Sequence, residues 1–75
     1  MDKFKYIVFD EDGLPEFGII FPSYIQHDRM ARMIGAKPIT AGFVKIQSGK
    51  IVCFGSSISL KLMSDPEDNF YFKDL

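Results

Sequence analysis

The sequence predicts one α+β domain over residues 1–75, a small and mostly antiparallel sheet in the order ββαβββα with two helices packed on one face. Three observations predict it. Short β-branched and aromatic runs alternate with Gly-bearing turns. One central segment carries helical periodicity between a Ser start and a Gly stop. A second helix start, Ser64-Asp65-Pro66, follows the last apolar run.

Each element has its own signal. Phe4 to Phe9 (FKYIVF) reads as a strand, Asp10 to Pro15 as turn chemistry, and Phe17 to Phe21 (FGIIF) as the returning strand. Gly18 is a bulge candidate, and Pro22 ends the strand. Ser23-x-x-Gln26 fits a capping box, and Gly35 closes a helix after Ile34. Helical steps of about 100° put Tyr24, His27, Met30, Ala31 and Ile34 on one side and Asp28, Arg29 and Arg32 opposite. Lys37-Pro38 is the expected linker. Ile39 to Ile46 is the third strand, with Gly42 a second bulge candidate, and Ser48-Gly49 turns the chain into Ile51 to Phe54. Gly55-Ser56 turns it again. Ile58, Leu60 and Leu62 alternate with Ser57, Ser59 and Lys61, which is strand period. Ser64 to Asp68 then supplies a cap, a first-turn Pro and acids for the positive helix end, with Phe70, Tyr71 and Leu75 as apolar contacts.

Composition narrows the function classes. A chain of 75 residues holds one small core, and eight Phe plus three Tyr are more rings than such a core absorbs. Some rings are therefore expected at the surface, where an apolar patch serves a partner; self-association into a homo-oligomer is the simplest expectation. Nine Lys/Arg against ten Asp/Glu give a net charge of −1 with no basic stripe, so duplex nucleic acid is not an expected partner. The single Cys53 lies between Val52 and Phe54 and is expected as a buried thiol in a reducing compartment. No segment reaches the roughly 18 apolar residues of a membrane span, and Met1-Asp2-Lys3 leads directly into a strand-like run. A cytoplasmic setting without membrane contact is expected.

Tyr6-Ile7-Val8-Phe9-Asp10-Glu11-Asp12-Gly13 resembles the first motif of haloacid-dehalogenase-type phosphatases, which implies an aspartyl nucleophile, an acid/base Asp and Mg²⁺. That chemistry needs further phosphate and cation ligands carried by βαβ units of about 30 residues each. These 75 residues are not expected to hold that scaffold, and Leu14 stands where the family has Thr. Asp-Gly between apolar runs is expected instead to form a hairpin turn. The spacing also lacks the third ligand and later Glu of a calcium loop. No catalytic set, cofactor or metal site is expected.

Ala41-Gly42-Phe43-Val44, Cys53-x-Gly55-x-Ser57-x-Ser59-Leu60 and Ser64-x-Pro66-Glu67-Asp68 resemble short proteins of tailed phages and prophages. The resemblance spans about half of the chain with the His27 helix, and implies a phage-encoded protein in a host bacterial cytoplasm. Small acidic proteins there often counter host defences by blocking a host protein or sequestering a signalling nucleotide.

Seven residues are candidate ligand contacts. His27 is the only histidine and sits on the apolar helix face. Gly55, Ser56 and Ser57 follow a strand, so their backbone N–H groups and hydroxyls suit a phosphate, with Ser59 adjacent and Lys61 as a source of charge. Arg29 and Arg32 are spaced to approach one anion together. The expectation is a non-enzymatic, self-associating binding protein that captures a host protein or a small anionic, nucleotide-like ligand. The alternative is a structural or virion-associated accessory protein, told apart by co-purification with particles.

Overall fold

The computed structural model describes residues 4–73; Met1-Asp2-Lys3 and Leu75 lie outside the described residues. In chain order the elements are β1 (Phe4–Asp10), β2 (Phe17–Pro22), α1 (His27–Ile34), β3 (Lys37–Gln47), β4 (Lys50–Phe54), β5 (Ser56–Ser57), β6 (Leu62–Met63) and a 3₁₀ helix (Pro66–Phe72). The fold is α+β. Its main sheet is four-stranded and antiparallel in the order β2-β1-β3-β4, and β5 and β6 form a separate small ribbon.

Central β1 organises both sides. Side chains alternate across a strand, so Tyr6 and Val8 face one way and Ile7 and Phe9 the other. All four are essentially fully buried. Tyr6 and Val8 pack with Val44, Cys53 and Phe72 of the 3₁₀ helix. Ile7 and Phe9 pack with Phe21, Ala41 and Ala31 of α1. The two helices therefore cover opposite faces of the sheet, not one. The cause lies in β1, whose unbroken Tyr6-Ile7-Val8-Phe9 run is apolar on both sides and needs cover on both.

The glycines in the strands serve close packing and not bulges. Gly18 and Gly42 pair in register with Val8 and Tyr6. The ring of Phe72 lies 2.6 Å from where a Cβ on Gly18 would sit, and a Cβ on Gly42 would meet the backbone carbonyl oxygen of Phe54. The one irregularity falls between Val8 and Phe9, opposite Pro38. Lys37-Pro38, expected as a linker, opens β3. Ser48 and Gly49, at φ 54° and 76°, form the two-residue hairpin turn that joins β3 to β4.

Other elements also differ from what the sequence predicts. α1 begins at His27 with Gln26 as N-cap and no side-chain cap bond, so the Ser23 capping box does not form. A turn bond from Ile25 N–H to the Pro22 carbonyl (3.1 Å) and the Lys5 ammonium on the Ile25 carbonyl (2.9 Å) hold that stretch outside the helix. Tyr24 consequently stays exposed. Gly35, left-handed at φ 81°, closes α1 as expected.

The expected strand Ile58 to Leu62 is mostly turn. The Ser57 hydroxyl accepts the Leu60 N–H at 3.2 Å, and Lys61 adopts φ 57°, so residues 58–61 reverse the chain between β5 and β6. The last element is 3₁₀ because Asp68 N–H bonds to the Asp65 carbonyl (2.9 Å). Asp65 and Asp68 form its capping box around Pro66.

Candidate functional site

A cleft of about 630 Å³ opens on the α1 side of the sheet, lined by Lys5, Gln26, His27, Phe43, Phe54, Gly55, Ser56, Ile58 and Ser59. Register explains its aromatic wall. Phe43 and Phe54 are direct cross-strand partners of β3 and β4, with ring centroids 5.9 Å apart. The Lys45 ammonium stands 5.2 Å from the Phe54 ring centroid. Gly55, at φ 80°, swings the chain across the Phe43 ring, where its own Cβ would sit 3.2 Å from Phe43 Cδ2. That turn delivers Ser56 and Ser59 to the rim.

His27 forms the inner end. Its imidazole stands edge-on between Phe21 and Phe43, with centroids 5.7 Å away in each case. Nε2 donates to the Gly42 carbonyl at 2.8 Å, which places the ring proton on that nitrogen. Burial pulls its pKa below the ordinary value of 6.5, and the Lys5 ammonium pulls the same way. The Gly42 carbonyl and Asp28 oppose that shift but do not reverse it. In the pH range below the unfolded value the unfolded chain thus binds more protons than the folded one. The His27 contribution is complete above about pH 6.5 and is lost as pH falls. Denaturant midpoints measured from about pH 7 to pH 5 should fall more steeply for the wild type than for His27→Gln.

Four of the seven expected contacts meet in this cleft: His27, Gly55, Ser56 and Ser59. Ser57 is buried and holds the turn from beneath, bonded to Leu60 N–H and 3.5 Å from the Ser59 hydroxyl. Arg29 borders a separate depression with Tyr24, Ile25 and Gln26. Arg32 is exposed and pairs with Asp28 at 3.3 Å, one helical turn away. The two arginines therefore do not join the cleft. Lys61 closes the 58–61 turn in the left-handed conformation, and Lys5 takes the place expected for it as the cleft's cation.

Lys5, Phe43 and Phe54 were not among the expected contacts. The polar Lys5 inside an otherwise apolar strand is a signal for the first. The two phenylalanines depend on register, which no single segment reveals.

The remaining chemistry-bearing residues lie elsewhere. Asp10 ends β1 opposite Lys37, and Glu11 to Leu14 forms a turn closed by Leu14 N–H to the Glu11 carbonyl (3.0 Å), with Gly13 at φ 83°. The Asp-x-Asp-Gly segment is thus the hairpin between β1 and β2. Cys53 is a buried free thiol facing the 3₁₀ helix, across the sheet from His27. Burial, with the Asp68 carboxylate second, pushes its pKa up to about 12, which leaves it a poor nucleophile. No helix among the described residues is long and apolar enough to cross a membrane. No family model, curated protein or solved structure matches the chain.

Proposed function

We propose that the chain is a small, non-enzymatic binding protein whose cleft sequesters an anionic, nucleotide-like ligand. One observation carries the reading. A single cavity joins a cross-strand pair of phenyl rings, a lysine ammonium and the Gly55-Ser56 turn with the Ser59 hydroxyl. Rings offer a stacking surface to a flat base, and Lys5 with the hydroxyls offers charge and hydrogen bonds to a phosphate. Neutral His27, tied to Gly42, stiffens the inner wall and does not act as an acid or base. The phage resemblance supports a counter-defence setting in a host bacterial cytoplasm for such capture.

Calorimetry against linear and cyclic nucleotides, with nucleosides and inorganic phosphate as controls, tests this reading. Heat is expected with nucleotides and not with phosphate alone. Phe54→Ala and Lys5→Ala should each weaken binding about tenfold, equivalent to about 1.4 kcal/mol. Circular dichroism of each variant checks that the fold is kept. Absence of heat with every nucleotide would remove the proposal.

A further inference from the structure

The two borders of the main sheet are finished differently. At β4 the Asn69 side-chain carbonyl reaches the strand and accepts the Cys53 backbone N–H at 2.8 Å, and the strand opens on Lys50. Tyr71 and Phe72 lie over the face of β2 at Gly18, but among the described residues no side chain bonds to the outer backbone of β2 in this way. Its sequence, Phe17–Pro22 (FGIIFP), holds no charged residue. Its register with β1 runs without a bulge from Phe4↔Pro22 to Phe9↔Phe17. Among the described residues no hydrogen bond beyond β1 reaches the backbone of Phe17 to Phe21. Exposed sheet edges are ordinarily blunted by lysines, bulges, inward charges or a covering segment, because free N–H and C=O rows recruit another strand. Within β2 itself only Pro22, at the last position, serves that purpose.

The side chains agree with the backbone. Phe17, Ile19 and Ile20 are half-buried, whereas their β1 partners Phe9, Ile7 and Tyr6 are fully covered. Apolar surface thus remains along the outer margin of β2 on both faces of the sheet.

We propose that β2 pairs antiparallel with β2 of a second copy about a two-fold axis, joining the two sheets into one. Charge favours this occupant. An uncharged strand running against itself sets no like charges opposite one another. Glu16, just before the strand, then falls near the partner's Pro22 end and not against its own counterpart. Its carboxylate is moreover engaged by the Tyr71 hydroxyl at 2.6 Å. The contact is isologous, so the same patch serves both copies and the assembly closes at two. No β2 residue lines the cleft, so pairing leaves both copies' clefts open.

Sedimentation and amide hydrogen exchange on the wild-type chain, each over a wide concentration range, test the proposal. The expected result is a dimer mass together with exchange of β2 amides slowed at least tenfold at high concentration, while β4 amides stay unchanged. Ile20→Lys and, on the opposite face, Ile19→Lys should sediment as folded monomers. The exchange measurement decides the matter should either variant unfold. A strict monomer, or concentration-dependent protection located at β4 or the cleft rim, would overturn it.

Discussion

Asp68→Ala should lower stability by about 3 kcal/mol, read as a fall in the urea midpoint with little change in slope. The buried Asp68 carboxylate accepts the Tyr6 hydroxyl at 2.5 Å and the Asp65 backbone N–H at 3.0 Å. It therefore fastens the 3₁₀ helix to the central strand and completes that helix's cap. The alanine variant leaves a buried phenol without its acceptor, costing about 1–3 kcal/mol, and removes a capping bond worth about 1 kcal/mol. Burial and the adjacent carboxylate push the Tyr6 pKa far upward, so the phenol keeps its proton and serves as the donor. A chain of 75 residues has only about 4–11 kcal/mol in total, so this one change removes a large share. Tyr6→Phe should cost about 2 kcal/mol by leaving the buried carboxylate with the Asp65 N–H alone, and the double variant less than the two losses combined. Strict additivity in that cycle would refute the pairing.

Gly42→Ala should cost about 3 kcal/mol or more, and it should also damage the cleft. The added methyl meets the Phe54 carbonyl oxygen, with the Gly55 carbonyl carbon and Ser64 Cβ each 3.3 Å away. These obstacles are mostly backbone and have no rotamer to change. The same stretch is locked by Ser64 N–H on the Gly55 carbonyl at 3.0 Å. Relief therefore requires the segment bearing Gly55 and Ser56 to lift away from β3. Gly49→Ala is the comparison: its φ of 76° is unfavourable for alanine, but nothing lies within 4 Å of the new methyl. About 1 kcal/mol is expected there, with ligand binding untouched. Equal losses at the two glycines would show that backbone conformation, and not close packing, governs Gly42.

Elements specified by neighbouring residues were legible in the sequence. The β1–β2 hairpin follows from Asp12-Gly13 between apolar runs, the β3–β4 hairpin from Ser48-Gly49, and the end of α1 from Gly35. The terminal start Asp65-Pro66 also carries its capping chemistry in adjacent positions. Elements decided by distant partners were not. Ser23 looks like a helix cap, yet Lys5, eighteen positions earlier, takes the Ile25 carbonyl. Ile58 to Leu62 alternates like a strand, yet a hydroxyl two residues from Gly55 turns it back. The glycines of β2 and β3 read as bulges because their actual obstacles, Phe72 and the Phe54 carbonyl, are remote in sequence. The arginine pair was a matter of helix spacing, which cannot reveal that Asp28 occupies one arginine.

Local chemistry by itself determined the antiparallel α+β class, the main turns, the buried thiol and the presence of His27 and the Gly55-Ser56 turn as polar groups beside apolar segments. Only the tertiary structure decided that the helices lie on opposite faces, that Lys5 and two phenylalanines complete the cleft, and that Arg29 and Arg32 stay outside it. Turns and caps are closed by hydrogen bonds spanning three or four residues, so their instructions are written locally. Which side chains share a cavity depends instead on strand register and on which face each covering segment takes, and both are settled by packing between residues far apart in the chain.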